Sequence, residues 1–285
     1  MKLQLSEELR QRWFYAMCAT VILFVTLFAL GQEASFLLSL LCGLQGWKEY
    51  ARMMSLRDRP SLHVMGYVFV TLMFLHAFFV GPRTLFWLWG AWSAAFFALF
   101  IEYRLQLKRD PAAALNANIQ LMWTQLCRFV MGLLYVFLIF GFIGSVVSGV
   151  RGEQVLILTF TIVFMGDTGA YFVGRKHGRR KLWEALSPKK TVEGALGGYA
   201  FSIVGGLVCW LLCYWLADRP IEFSTYLMLA LVLPPFAQAG DFLESLMKRA
   251  SGTKDSGSLM PGHGGLLDRA DGLALAMPLV YFLVS

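Results

Sequence analysis

Long apolar stretches recur along almost the whole chain, and they restrict its fold more than any other feature. A helix that crosses a lipid bilayer needs about 20 mostly apolar residues. Stretches that approach or reach this length lie at residues 13–31, 34–47, 61–81, 84–102, 128–150, 154–174, 195–217, 223–243 and 267–285. The second of them is short, and the ninth begins in polar sequence. Together they predict an all-α polytopic integral membrane protein with about nine transmembrane helices.

Composition supports the same fold class. Hydrophobic residues make up 58% of the 285 residues and charged residues only 15%, whereas a soluble domain has roughly 45–50% apolar and about 25% charged residues. So small a polar fraction could not cover the surface of a soluble protein, which excludes the soluble, disordered and fibrous classes. The net charge of +7 lies in short loops between apolar stretches, so we interpret it as a topology signal and expect no nucleic-acid partner.

The distribution of basic residues predicts the orientation in the membrane. If the N-terminus is cytoplasmic and all nine stretches span the bilayer, 22 of the 25 Lys and Arg residues lie in cytoplasmic loops or at the inner ends of spans. This asymmetry follows the positive-inside rule. The sequence therefore predicts a cytoplasmic N-terminus. The compact chain predicts a bacterial inner (plasma) membrane, with a site among the inner loops that faces the cytoplasm.

Acidic residues divide the chain into two regions. Residues 1–150 contain few acids and are predicted to form an N-terminal transmembrane scaffold of about five helices. Residues 151–285 are predicted to form a catalytic transmembrane region with cytoplasmic loops, because most of their acids lie near the inner membrane face among many basic residues. Carboxylates that hold a divalent cation, beside basic groups that neutralise phosphate oxygens, suit a metal-bound polyphosphate.

Two stretches of the second region combine helix-packing and phosphate-binding features. Asp167 lies in the apolar sequence Gly166–Tyr171, where an ionisable residue is costly and predicts a function, whereas small residues repeated every four positions there predict close helix packing. Farther on, Ser187–Gly194 places two lysines and a threonine after Pro188, which is expected to fix a turn before a helix. This stretch predicts either a phosphate site at a helix N-terminus or a positive-inside loop in which Thr191 caps the helix.

The third stretch, residues 240–271, carries the strongest functional signal. On a helix its first acids and Lys248 would share one face. Glycines flank His263 in a loop, where they allow backbone N–H groups to approach a ligand closely. A merely solvated loop would not explain so many glycines, acids and basic residues in one short stretch.

This third stretch resembles the signature of the phosphatidate cytidylyltransferase (CDP-diacylglycerol synthase) family. The signature is S-x-x-K-R, four residues, K-D-S-G, and then P-G-H-G-G-x-x-D-R-x-D, and it matches residues 245–271 with every spacing intact. The stretches around Asp167 and Ser187–Thr191 are similar to other common motifs of the family, so the resemblance covers roughly residues 160–285. Ala270, where a branched aliphatic residue is usual, is a small departure that leaves room for a different lipid preference.

The resemblance implies a reaction in which CTP and phosphatidic acid give CDP-diacylglycerol and pyrophosphate for phospholipid biosynthesis. It implies a magnesium ion as cofactor and leaves a second cation open. The metal ligands that follow are Asp241 and Asp268 first and Asp271 next, with Asp255 as an alternative. The catalytic residues are Lys248, Arg249, Lys254, Asp255, His263 and Arg269. The substrate-binding residues are Asp167, Ser187, Lys189, Lys190, Thr191, Ser245, Ser256, Gly264 and Gly265.

The sequence also predicts binding partners, and it leaves three alternative functions open. We expect CTP, phosphatidic acid and the bilayer as partners. The family and the small-residue faces Gly166/Ala170/Gly174 and Gly194/Gly198 suggest a homodimer. A CTP-dependent lipid kinase is a second hypothesis, and it would need a base for the acceptor hydroxyl. A membrane transporter is a third hypothesis, which the lack of an internal repeat disfavours, and binding without turnover is a fourth.

Overall fold

The structure is a computed structural model that describes residues 25–26, 29–81, 90, 93–101, 105, 111–259 and 264–284 of the chain. Its helices are α1 (Gly31–Met53), α2 (Pro60–Val80), α3 (Pro111–Val136), α4 (Phe142–Val147), α5 (Gly152–His177), α6 (Val192–Leu216), α7 (Phe223–Ala250), α8 (Leu267–Ala270) and α9 (Leu273–Val284). A π-helical segment, Phe137–Gly141, joins α3 to α4. Two short strands, β1 (Lys181–Trp183) and β2 (Ser187–Thr191), pair antiparallel. The predicted helical class is confirmed, but the all-α prediction did not contain this β-hairpin.

Five helical segments are long and apolar enough to cross a membrane. They are Pro60–Val80, Gln120–Val147, Gly152–His177, Val192–Leu216 and Phe223–Ala250. The part of the chain that the structure describes is therefore that of a multi-pass membrane protein. The predicted spans at 13–31 and 84–102 lie partly outside the described residues, so the count of nine stays a prediction.

The C-terminal apolar segment is shorter than the predicted span at 267–285. Its helix, α9, begins only at Leu273 and has 12 residues. At 1.5 Å per residue this gives about 18 Å, which is less than the hydrocarbon core of about 30 Å. Asp268 and Asp271 lie before this helix, in α8 and the turn that follows it. The two acids thus lie in the polar beginning of the predicted stretch, before its apolar helix.

An aromatic core holds α1 against α2 and α3. Trp47 and Tyr50 of α1 are buried. The Trp47 indole N–H donates a hydrogen bond to the His63 carbonyl oxygen at 3.1 Å, and the Tyr50 hydroxyl donates one to the Arg128 carbonyl oxygen at 2.9 Å. Phe129 packs edge-on against Trp47, with ring centroids 5.6 Å apart. Because buried aromatic residues remove large apolar areas from contact with lipid or water, this packing fixes the C-terminal end of α1.

Small residues bring α5 and α6 into close contact. A Cβ atom at Gly198 would lie 2.6 Å from the Gly166 carbonyl oxygen and 3.0 Å from the Ala170 Cβ. A Cβ atom at Gly194 would lie 2.9 Å from the Ala170 carbonyl oxygen and 3.1 Å from the Gly174 Cα. The helix-packing interpretation of these residues is therefore confirmed. Since the two faces pack on each other within one chain, they give no support to the predicted homodimer.

We expect Gly198→Val to lower the free energy of unfolding by about 2 kcal/mol, because the branched side chain would push α5 away from α6. Ala200→Val is the matched control: Ala200 is exposed on the same helix, so its replacement should cost no more than about 0.5 kcal/mol. Thermal unfolding of both variants in detergent measures the difference. Equal melting temperatures for the two variants would contradict the described packing.

Candidate active site

A cavity of about 540 Å³ lies between α5, α6, α7 and the β-hairpin. We call it the hairpin pocket. It joins residues of all three stretches that the sequence singled out. It has the size of a small-molecule site, and its mixture of acids and bases suits a phosphorylated ligand that carries a cation. The lining residues are Asp167, Ala170, Tyr171, Gly174, Arg175, Lys181, Leu182, Lys189, Lys190, Thr191, Gly194, Ala195, Gln238 and Asp241.

Lys190 and Asp241 form an ion pair in the hairpin pocket. The Lys190 Nζ donates to Asp241 Oδ2 at 2.7 Å and lies 4.5 Å from the centroid of the Phe242 ring. The other carboxylate oxygen, Asp241 Oδ1, is buried and has no hydrogen-bond partner among the described residues. A buried acceptor without a donor is costly. This oxygen is therefore a strong candidate for a cation ligand.

The chain around β2 carries the pocket lysines and then enters α6. Pro188 lies inside β2, so the predicted turn before the helix is wrong; both strands of a two-stranded sheet are edge strands, which tolerate Pro. The Thr191 hydroxyl accepts a hydrogen bond from the Gly194 N–H at 3.1 Å and caps α6. The capping interpretation is confirmed, although Thr191 also lines the pocket. Glu193 accepts a hydrogen bond from the Arg179 N–H at 3.0 Å, which ties the segment before β1 to α6.

A second cluster forms around Lys248, on the face of α7 that the sequence predicted. The Lys248 Nζ donates to Glu244 Oε2 at 2.6 Å and to Asp268 Oδ1 at 2.8 Å. The three side chains are 18%, 0% and 7% exposed, in that order. One ammonium group thus serves two buried carboxylates. Removal of one partner from a buried ion pair leaves a charge without compensation, so the three residues act as one unit.

Both carboxylate oxygens of Asp268 accept hydrogen bonds, and Oδ1 accepts from Lys248. Its Oδ2 accepts hydrogen bonds from the Ser256 N–H at 2.8 Å, the Ser256 hydroxyl at 2.9 Å and the Gly265 N–H at 2.7 Å. Burial acts to raise the pKa of Asp268, but the Lys248 ammonium and these hydrogen bonds outweigh it and hold the pKa below its usual value. Gly264 has a φ of +81°, and a Cβ atom there would lie 2.6 Å from Oδ2. A larger residue would therefore strain the backbone and strike the carboxylate.

Glu49 of α1 belongs to the same cluster, and the sequence analysis did not single it out. Its side chain accepts hydrogen bonds from Gln45 Nε2 and the Leu266 N–H on Oε1, both at 3.0 Å. On Oε2 it accepts from the Leu267 N–H at 3.0 Å. The Ser256 hydroxyl lies 3.2 Å from the same oxygen and can donate either to it or to Asp268. An acid at the end of an apolar stretch is the signal that could have marked it. Glu49 thus adds a residue of the N-terminal region to the site. The predicted boundary between two regions at residue 150 stays a prediction.

The hairpin pocket and the Lys248 cluster are adjacent. Gly240 packs against the backbone carbonyl of Asp271, which a Cβ atom at residue 240 would strike. A Cβ atom at Gly272 would lie 3.3 Å from Asp241 Oδ1. Burial, and then the negative charges of Asp241 and Glu244, raise the pKa of Asp271 well above its usual value. The two ends of the third stretch therefore form one acidic region, in which a bound cation would relieve the repulsion.

The predicted three-ligand metal set stays a prediction. Within the described ranges no group of three or more His, Cys, Asp or Glu side chains is placed to hold a metal ion. Asp241 fits a divalent cation because of its buried, unpartnered Oδ1, and Asp271 fits because neighbouring carboxylates repel its charge. Asp268 already uses both oxygens for hydrogen bonds and the Lys248 ion pair. Asp241 and Asp271 are therefore better candidates for metal ligands than Asp268.

The roles of the remaining predicted residues stay predictions. Ser187 begins β2 and Ser245 lies on α7, and both are half-buried. His263 lies outside the described residues. Four of these residues are exposed: Arg249, Lys254, Asp255 and Arg269.

The fold and the site together define a class: a multi-pass helical membrane protein with a charged pocket that suits a phosphorylated ligand. Comparison with known proteins then assigns the family. The model of the cytidylyltransferase family matches residues 10–285, and the chain therefore belongs to the cytidylyltransferase family. The family resemblance found in the third stretch is confirmed.

Curated relatives match part of the chain. A phosphatidate cytidylyltransferase of Bacillus subtilis (strain 168) is 44% identical over 134 residues, which are 47% of this chain and 48% of the relative. Proteins of the same name from Staphylococcus saprophyticus and Staphylococcus aureus (strain COL) are 41% and 40% identical over 134 residues, which are 47% of this chain and 50% of each relative. The chain thus spans about half the length of the curated relatives it matches.

Proposed function

We propose that the protein is an enzyme that transfers the cytidylyl group of CTP to phosphatidic acid, which gives CDP-diacylglycerol and pyrophosphate for phospholipid biosynthesis. The observation that carries this proposal is the hairpin pocket, in which Lys189 and Lys190 lie with Asp167 and Asp241 in a member of the cytidylyltransferase family. The name shared by the relatives, phosphatidate cytidylyltransferase, supports the choice of substrates.

The proposed reaction joins two anions. An oxygen of the lipid phosphate attacks the α-phosphorus of CTP, a new P–O bond forms, and the bond from the α-phosphorus to the bridging oxygen breaks to release pyrophosphate. Because the attacking oxygen is already ionised near neutral pH, the site needs no general base for it. Its task is to reduce the repulsion between the substrates and to hold them in line.

Basic residues of the hairpin pocket would neutralise the triphosphate. Lys189 and Lys190 have this role in the proposal, and Arg175 and Lys181 line the same cavity. Lys248 has a different role, because its ammonium group already pairs with two buried carboxylates. In the proposal it holds Asp268 and does not bind phosphate.

Magnesium is part of the proposal, with Asp241 and Asp271 as the residues that would hold it. When bound, the ion would supply positive charge to the triphosphate and so favour the departure of pyrophosphate. The support for this choice is the unpartnered Asp241 Oδ1 in a buried setting. Lys190, which pairs with Asp241, would keep the phosphates beside the same carboxylate.

We also propose that the hairpin pocket opens to the cytoplasm of a bacterial inner membrane, where CTP is present. The support is the positive-inside asymmetry, to which the lysines of the hairpin contribute. Phosphatidic acid would then reach the site from the inner leaflet. A homodimer is a proposal that rests on the family resemblance alone.

Product analysis tests the proposed reaction. Purified protein in mixed micelles is supplied with magnesium, one nucleoside triphosphate and either phosphatidic acid or diacylglycerol, and the lipids are identified by mass spectrometry. We expect CDP-diacylglycerol, with an equal amount of pyrophosphate, only from CTP with phosphatidic acid. Phosphorylated diacylglycerol together with CDP would instead support the lipid-kinase hypothesis. A folded protein that forms neither product would contradict the proposal.

A further inference from the structure

Two carboxylates, those of Asp268 and Glu49, connect the two ends of the glycine-rich loop between α7 and α8. Asp268 accepts hydrogen bonds from Ser256 on one side of the loop and from Gly265 on the other. Glu49 spans the same two sides from α1, because its oxygens lie 3.2 Å from the Ser256 hydroxyl and 3.0 Å from the N–H groups of residues 266–267. The two sides of the loop are thus tied together by side chains, one of which comes from the distant N-terminal region.

We propose that Glu49 is a positioning residue for cytidylyl transfer, which fixes the base of this loop on α1 and, through Ser256, fixes the Asp268 carboxylate. The inference rests on the proposed function. The Ser256 hydroxyl lies 3.2 Å from Glu49 Oε2 and 2.9 Å from Asp268 Oδ2. Because a hydroxyl has one proton, it donates to one of the two carboxylates at a time and links their positions.

Burial and chemistry distinguish Glu49 from a residue that touches substrate. Glu49 is 2% exposed, and it does not line the hairpin pocket. Both of its oxygens already have hydrogen-bond donors: Oε1 accepts from Gln45 and the Leu266 N–H, and Oε2 accepts from the Leu267 N–H. The segment that carries it is rigid, because Trp47 and Tyr50 on the same turn of α1 are buried in the aromatic core.

The donors on both sides of Glu49 explain why the residue is a carboxylate. Each of the two carboxylate oxygens can accept more than one hydrogen bond. A glutamine would keep one acceptor oxygen and replace the other by an NH₂ group, which faces donors on that side. In Glu49→Gln, one of the N–H groups at residues 266–267 therefore loses its acceptor, while the size and shape of the side chain are kept.

The test compares Glu49→Gln with Glu33→Gln, a matched control at an exposed position of the same helix. The first readout is hydrogen exchange, which needs no activity. We expect exchange about tenfold faster in peptides that cover residues 253–268 of Glu49→Gln, with no change elsewhere. Glu33→Gln should match the wild type throughout. Faster exchange over the whole chain, or no change in the loop, would overturn the positioning role.

The second readout is the kinetics of CDP-diacylglycerol formation. In Glu49→Gln we expect kcat/KM to fall about 10–100-fold, with a raised KM for CTP because the loop residues are misplaced. A loss of folded protein lowers the apparent kcat but leaves KM unchanged, so that result would overturn the inference. If Glu49→Gln does not fold, Ser256→Ala gives the same test through a smaller change.

Combining the variants tests the link through Ser256. If Glu49 acts through the Ser256 hydroxyl, the double variant loses less activity than the product of the two single losses. Independent, multiplicative losses would overturn the link. Failure of the proposed function can be distinguished from failure of this inference. A wild-type protein without transferase activity would reject the proposed function, yet the exchange experiment could still be read. An active wild type with an unaffected Glu49→Gln variant would reject the positioning role alone.

Discussion

Asp241→Asn is expected to lower the rate of cytidylyl transfer by about 10²–10³-fold while the protein stays folded. The substitution keeps the shape of the side chain but removes the charge that pairs with Lys190 at 2.7 Å. It also replaces one oxygen of the carboxylate whose Oδ1 is buried without a partner in the described structure. In the proposal, this carboxylate holds the cation and, through Lys190, keeps the triphosphate beside it. Its loss is therefore expected to slow the step in which the α-phosphorus is attacked and pyrophosphate is released.

Asp218→Asn is the matched control, because Asp218 is exposed at the loop between α6 and α7. Initial rates at saturating CTP and a series of magnesium concentrations measure the effect. We expect the control to keep the wild-type rate, and we expect added magnesium not to restore Asp241→Asn. An Asp241→Asn enzyme with more than about a tenth of the wild-type rate would contradict the role given to this residue.

Lys248→Met is expected to lower the free energy of unfolding by about 3–5 kcal/mol. Methionine has a similar length but leaves Glu244 and Asp268 without their shared cation, and these side chains are 0% and 7% exposed. Asp268 keeps its hydrogen bonds from Ser256 and Gly265. Among the residues that the structure describes, Glu244 has no comparable set of donors, so most of the loss is expected to come from its buried charge.

Equilibrium unfolding in mixed micelles measures this loss, with Lys48→Met, an exposed lysine on α1, as the control for loss of charge. Addition of Glu244→Gln to Lys248→Met should recover part of the stability, because it removes the uncompensated charge. A Lys248→Met variant as stable as Lys48→Met would mean that the buried ion pairs are not present in the protein.

Much of the site could be predicted because charged residues are conspicuous in apolar sequence. Asp167 was marked as a costly acid in apolar sequence and Asp241 as a metal ligand, and both line the hairpin pocket. Helical spacing predicted that Lys248 would share a face of α7 with the preceding acids, and Lys248 forms an ion pair with Glu244 one turn before it. In these cases the signal is local, since it depends on the type of residue and on spacing within one helix.

The parts that sequence reasoning missed depend on contacts between distant segments. The Glu49 carboxylate finds its partners Ser256 and Leu267 at separations of 207 and 218 residues, and no periodicity encodes such a contact. The hairpin was missed because Pro188 and two lysines favour a loop, while pairing of Lys181 with Thr191 makes the segment a strand. The small-residue faces could not be assigned to a dimer or to packing within the chain, because such a face is the same whether its partner lies in the same chain or in another.

The most direct test of the account is the fate of two labels in CTP. The wild-type protein is incubated with magnesium and phosphatidic acid, and CTP carries a label on the α-phosphorus in one reaction and on the γ-phosphorus in the other. The account predicts that the α-label enters the lipid phase, while the γ-label leaves as pyrophosphate. A γ-label in the lipid phase, or no label there from folded protein, would contradict cytidylyl transfer.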